Sequence, residues 1–172
     1  MTTEPTDTRR VELRVRDDTP TSVLETADRI ASRLRRLEAD GQLAAYALES
    51  WGCQQLRPDE ATEAPAAAVV ETYRSWADDA GYTLEPAFCR REVSSMVSET
   101  SYTKLVVPFL TIAVYDGEEL ECVAPCSNGA AVFTVDDCLA ALEVGASDLV
   151  AESLESDSVG DVESAERHVH PA

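Results

Sequence analysis

Hydrophobic and polar positions alternate cleanly at the start of the chain. Val11, Leu13 and Val15 alternate with Arg10, Glu12, Arg14 and Arg16, a period of two that predicts a half-buried strand with a charged outer face. The period then changes. Leu24, Ala27, Ile30, Ala31, Leu34 and Leu37 recur at helical spacing and predict a helix with one apolar stripe, opened by Pro20 and a Ser22-x-x-Glu25 capping box and closed by Gly41. Leu43 to Cys53 carries helix-favouring alanines, but Tyr46, Leu48 and Trp51 after a glycine stop fit the return strand of a β-α-β unit. A second helix is expected between Pro65 and Gly81, with Val69, Tyr73, Trp76, Ala77 and Ala80 on its apolar side.

The second half reads as strands. Tyr82 to Val93 has an extended pattern, and Ser94 to Ser101 a polar loop. Leu105 to Tyr115 is apolar at nearly every position, which predicts a central strand covered on both faces. Asp116-Gly117 and Asn128-Gly129 are turn signals that separate strands at Leu120 to Ala124 and Ala131 to Phe133. A last helix opens on Thr134-x-x-Asp137 and buries Val135, Cys138, Leu139 and Leu142. The order is β-α-β-α-β-β-β-β-α, an α+β fold whose economical architecture is a single mixed sheet with about three helices packed on it. Three parts follow: a disordered N-terminus over 1–8, an α+β domain over 9–146, and a disordered acidic tail over 147–172 that lacks aromatic residues.

Composition adds the setting. The 172 residues suit one domain of common size, and 44% hydrophobic content is enough for a core. Against 33 Asp and Glu stand 14 Lys and Arg, a formal net charge of −19, and Lys104 is the only lysine. Such a surface repels itself unless salt screens it, and at molar salt the Debye length falls to about 3 Å. The composition therefore points to a halophilic cytoplasm. No apolar run reaches the ~18 residues of a membrane span, and Met1 to Asp7 lacks the basic and apolar regions of a signal peptide, so no membrane and a cytoplasmic location are expected.

Candidate chemistry is sparse. The only histidines are His168 and His170, so a histidine-assisted nucleophile is excluded from the folded part, and no phosphate-binding glycine-rich loop is present. No catalytic residue and no cofactor are assigned. Cys122-x-x-x-Cys126 has a spacing that metal or redox chemistry allows, but on a regular strand the two residues stand about 13 Å apart, and Pro125 with the following turn would have to fold Cys126 back. Burial in the core is the commoner fate of free cysteines, and Cys138, on the apolar stripe of the last helix, reads the same way. The basic residues are more suggestive. Arg29, Arg33 and Arg36 fall at i, i+4 and i+7 on the exposed side of the first helix, with Arg35 beside them. With Arg10, Arg14 and Arg16, seven of the fourteen basic residues lie between positions 10 and 36. This local reversal of sign suits phosphate or an acidic partner, unless neighbouring carboxylates such as Glu25, Asp28 and Glu38 neutralise it.

Ala31 to Leu43, A-S-R-L-R-R-L-E-A-D-G-Q-L, is similar to the end of a winged-helix recognition helix running into its wing strand. More broadly, W-G-C at Trp51, C-R-R-E-V from Cys89, C-V-A-P-C-S-N-G from Cys122 and V-D-D-C-L-A-A-L-E ending at Glu143 make residues 10–144 resemble a family of uncharacterised haloarchaeal proteins described as helix-turn-helix domains. That resemblance implies a DNA-associated regulatory role and brings no site residues. The leading expectation is a non-enzymatic regulatory protein binding DNA or a protein partner. The alternatives are a thiol-based redox or metal-responsive protein using Cys122 and Cys126, and a small-ligand-binding α+β module. The oligomeric state is left open.

Overall fold

The computed structural model describes residues 9–52, 54–56 and 65–145; the expected disordered termini, Cys53 and the acidic stretch 58–64 lie outside the described residues. The alternating N-terminal segment forms β1 (Arg9–Arg16), with Val11 and Leu13 fully buried. Helix α1 (Thr21–Ala39) returns the chain to β2 (Ala45–Trp51), which lies parallel to β1. Ala27, Ile30, Leu34 and Leu37 are the buried stripe of α1, while Leu24 is 45% exposed. The helix starts at Thr21 behind Pro20, so Ser22 falls inside it and no side chain caps that end. Its other end closes as a Schellman motif. The amide of Gln42 donates to Leu37 O and that of Gly41 to Glu38 O, and Gly41 supplies the required left-handed backbone at φ 76°.

Strand β3 (Gln54–Leu56) leaves the first sheet, and α2 (Pro65–Ala80) follows. The rest of the chain is β4 (Cys89–Ser94), β5 (Ser101–Val106), β6 (Leu110–Asp116), β7 (Glu119–Ala124), β8 (Cys126–Ser127), β9 (Val132–Phe133) and α3 (Val135–Glu143). The α+β class with three helices and a mixed sheet holds. That sheet has four strands in the order β2-β1-β6-β7, and two further antiparallel sheets, β3-β5-β4 and β8-β9, take up the remaining strands. The apolar run 105–115 is not one strand. Pro108 has no amide to donate, and the chain changes sheet between β5 and β6. Likewise only Cys89–Ser94 of the extended segment 82–93 pairs as a strand.

Register and burial show why both faces of the mixed sheet are covered. Val11 pairs with Val114, which pairs with Cys122, and Cys122 reaches Cys138 of α3. That face therefore packs under α3 and its neighbour α1. The opposite face carries Arg14, whose guanidinium lies over the ring of Trp51, and Trp51 meets Tyr73 of α2 edge-to-face at 6.3 Å. So α2 covers the side of β1 that alternation predicted to be an open, charged face. Helix α3 begins at the predicted Thr134-x-x-Asp137, which forms a capping box: the Thr134 hydroxyl accepts from the Asp137 amide, and the Asp137 carboxylate accepts from the Thr134 amide.

Candidate functional site

The arginines of α1 divide into two kinds. Arg33, half-buried, bridges to α3 through Asp136 at 3.5 Å and Glu143, and so ties the two helices together. Arg29 and Arg36 are exposed on the outer side of the helix. Arg29 donates to Thr26 Oγ1 at 3.1 Å, and neither it nor Arg36 has a carboxylate partner among the described residues. Arg35, also exposed, donates to the hydroxyl of Tyr46. The predicted ridge Arg29-Arg33-Arg36 is thus present as two open cations flanking one that the fold itself uses.

The arginines of β1 are committed inside the fold. Arg9 pairs with Glu121 at 3.0 Å, Arg10 with Glu12 at 2.7 Å, Arg14 with Glu12 at 3.3 Å and Glu49 at 3.7 Å, and Arg16 with Asp18. Three of them also lie over aromatic rings, Arg10 on Tyr115, Arg14 on Trp51 and Arg16 on Phe109. Alternation marked these residues as surface because the rings that cover them come from distant parts of the chain.

Beneath α2 the same face holds a polar cluster that sequence reasoning missed. Arg14 Nε, Trp51 Nε1, Tyr73 Oη and Thr111 Oγ1 are buried without a hydrogen-bond partner among the described residues. Thr111 stands directly across from Arg14 in the β1–β6 ladder, and Tyr73 and Thr111 are fully buried. Burial pushes the Tyr73 phenol up, with the nearby Arg14 charge only partly opposing it. Arg14 approaches the Tyr73 hydroxyl, but no group among the described residues completes the hydrogen bonding of these four atoms, and a bound water or ligand polar group would do so.

The sulfurs are arranged differently from the predicted Cys122–Cys126 pair. The chain leaves β7 at Pro125, and Cys126 begins β8 opposite Phe133. Cys122 Sγ instead lies 3.7 Å from Cys138 Sγ, and all three residues are buried. Burial first, then the contact with Cys138, holds the Cys122 thiol well above the ordinary cysteine range. Burial first, then repulsion by Cys138, pushes Cys126 up to about 12. Thiols held neutral in this way are poor nucleophiles. Among the described residues no three His, Cys, Asp or Glu side chains gather as a metal-binding group, and no helix is long and apolar enough to cross a membrane.

A family model described as a helix-turn-helix domain matches residues 3–147. No curated protein and no solved structure matches the chain.

Proposed function

This chain belongs to the helix-turn-helix domain family, and from that premise we propose that it is a non-enzymatic regulator that binds DNA through the outer face of α1. The observation that carries the reading is the state of Arg29 and Arg36. The cations of β1, and Arg33, Arg74 and Arg90, are each taken up by carboxylates. Arg29 and Arg36 remain exposed and open, seven residues apart on one helix, which places them roughly 10.5 Å apart along its axis. Arg is suited to bidentate contacts with guanine edges and with phosphate, and such contacts survive at high salt better than counterion release alone. Arg33 completes the ridge, and its bridge to α3 fixes the orientation in which α1 is presented.

Retention of random-sequence duplex fragments in buffered KCl tests this. The Arg29→Ala/Arg36→Ala variant breaks no ion pair among the described residues and should lose the sequence-specific retention shown by the wild type. The triple variant that adds Arg33→Ala should lose it too, with an added loss of stability. A wild type that retains no duplex, or a double variant that retains the same ones, overturns the reading.

A second reading, a small-ligand-binding module, is favoured by the buried donors of Arg14, Trp51, Tyr73 and Thr111. If a ligand or water occupies that cluster, Tyr73→Phe should cost about 1–3 kcal/mol. If the hydroxyl is an orphan, the same change should be neutral or stabilising in urea unfolding.

A further inference from the structure

Two sequence features stand outside the function just proposed: the chain's only lysine, Lys104, and the apolar pair Met96-Val97 in a polar loop. The fold brings both onto one element. Strands β4 and β5 form an antiparallel hairpin in which Arg91 pairs directly with Lys104. Both side chains are exposed, and neither forms an ion pair among the described residues, although Arg90 beside them is held by Glu71 at 2.9 Å. Like charges directly opposite on one face of a ladder are destabilising. None of the described carboxylates neutralises this pair.

The end of the hairpin is built as a display. The amide of Ser95 donates to Thr100 O at 3.0 Å and the hydroxyls of Ser98 and Thr100 lie 2.7 Å apart, which closes the turn. Met96 is 100% exposed and Val97 is 98% exposed. Isolated exposed apolar residues are ordinary on a surface, but here two neighbours crown a hairpin whose flank carries two cations with no ion pair among the described residues.

We propose that the β4–β5 hairpin enters the major groove of duplex DNA, with Met96 and Val97 against thymine methyl groups and Arg91 and Lys104 on the flanking phosphates. This rests on the DNA-binding reading and adds a second contact to it. A two-stranded ribbon fits the major groove, which is about 8.5 Å deep, and the hairpin is two-stranded beyond Thr103, where the pairing of β3 with β5 ends. Arg91 stands five residues before Met96 at the tip, or roughly 16 Å back along the strand, with Lys104 beside it. A tip that touches the groove floor therefore holds the Arg91 and Lys104 backbones above the rim, from where their long side chains reach down to the flanking phosphates. The charge is complementary there, and thymine is the base that offers an apolar group in that groove.

The test uses duplexes that the wild-type chain selects from a random-sequence library, each made with thymine and again with deoxyuridine, which lacks the methyl. Wild type should bind the deoxyuridine form more weakly, by about fourfold for each thymine methyl that the tip covers. The Met96→Ser/Val97→Ser variant should bind both forms equally, at the level of wild type on deoxyuridine. Because the two side chains are fully exposed, its melting temperature should be unchanged. Arg91→Gln/Lys104→Gln should reduce the slope of log affinity against log salt by about 1.8, that is 0.9 per phosphate neutralised. The chain has two methionines, so the Met96 methyl can be followed by NMR, and its signal should shift when duplex is added.

If wild type selects duplexes and loses them with Arg29→Ala/Arg36→Ala, but the hairpin variants and deoxyuridine change nothing, the hairpin inference falls while the function stands. If no duplex is retained, both fall. A Met96 signal that shifts with protein concentration alone means that a second copy covers the tip, and that also overturns the inference.

Discussion

The buried thiols make the folded state vulnerable to alkali in a calculable way. Cys122 and Cys126 are held neutral by burial, Cys126 up to about 12 and Cys122 well above the ordinary 9.0. In the unfolded chain each ionises near its ordinary value. Above that value the unfolded state has released protons that the folded state keeps, so stability falls as pH rises. Their contribution is fully present below about pH 9 and drains away as pH climbs toward the folded values. At pH 10 an unfolded thiol is about ten-elevenths ionised, which favours unfolding by about 1.4 kcal/mol per thiol. The two together remove roughly 3 kcal/mol, a large share of the 5–15 kcal/mol a domain has.

Urea unfolding under reducing conditions at pH 7 and pH 10 measures this. With a slope of about 2 kcal/mol/M, the wild-type midpoint should fall by roughly 1.5 M. Cys122→Ala/Cys126→Ala will start from a lower midpoint because of the space it leaves, but it should lose much less between the two pH values. Tyr73 and Tyr115, both also raised by burial, begin to contribute near pH 10 and remain in both proteins, so the difference between the two isolates the thiols. Equal losses in wild type and double variant would refute the assignment of neutral, buried thiols to these positions.

Three other outcomes follow from local geometry and charge. Thr134→Ala removes one half of the α3 capping box and should cost about 1 kcal/mol in thermal or urea unfolding. Gly41→Ala meets no atom within 4 Å, so its cost is that of the left-handed backbone alone, about 1 kcal/mol or slightly more by the same measurement. With a net charge of −19, the thermal midpoint should rise from low to multimolar KCl as screening relieves self-repulsion, and a flat or falling midpoint would refute the halophilic reading.

What could be read from the chain was what short-range physics determines. The helix start at Thr134-x-x-Asp137, the glycine that ends α1, and the period of β1 each depend on residues a few positions apart, and each appears where expected. Apart from the Ser22-x-x-Glu25 box, which is lost because the helix already starts at Thr21, the misread features depend on register. Arg10, Arg14 and Arg16 look like a solvent face until Tyr115, Trp51 and Phe109 arrive from other strands or loops to cover them. The contact between Cys122 and Cys138 requires α3 to return across the sheet face that holds β7, which spacing within 122–126 does not encode. Arg91 and Lys104 are separated by a loop, and only the hairpin sets them face to face.

Membership of a helix-turn-helix family raises the question of which element would read DNA, because no two of the three described helices are joined by a short turn. Strands β2 and β3 lie between α1 and α2, and β4 to β9 lie between α2 and α3. The usual division of labour, one helix across the backbone and the next in the groove, therefore has no counterpart among the described elements. What the fold offers instead is a single helix with open arginines, braced from behind by the Arg33 bridge to α3, and a hairpin with an open cationic pair and an apolar tip. Helix α2 is the least suited to the task, since Tyr73 and Ala77 are buried in the core and Arg74 is met by Glu71 of the same helix at 4.0 Å. In a chain whose overall charge repels a polyanion, contact has to come from the few places where cations are left unneutralised. Among the described residues those places are α1 and the β4–β5 hairpin, so removing their open cations tests the DNA-binding reading more sharply than deleting any helix chosen by the family's name.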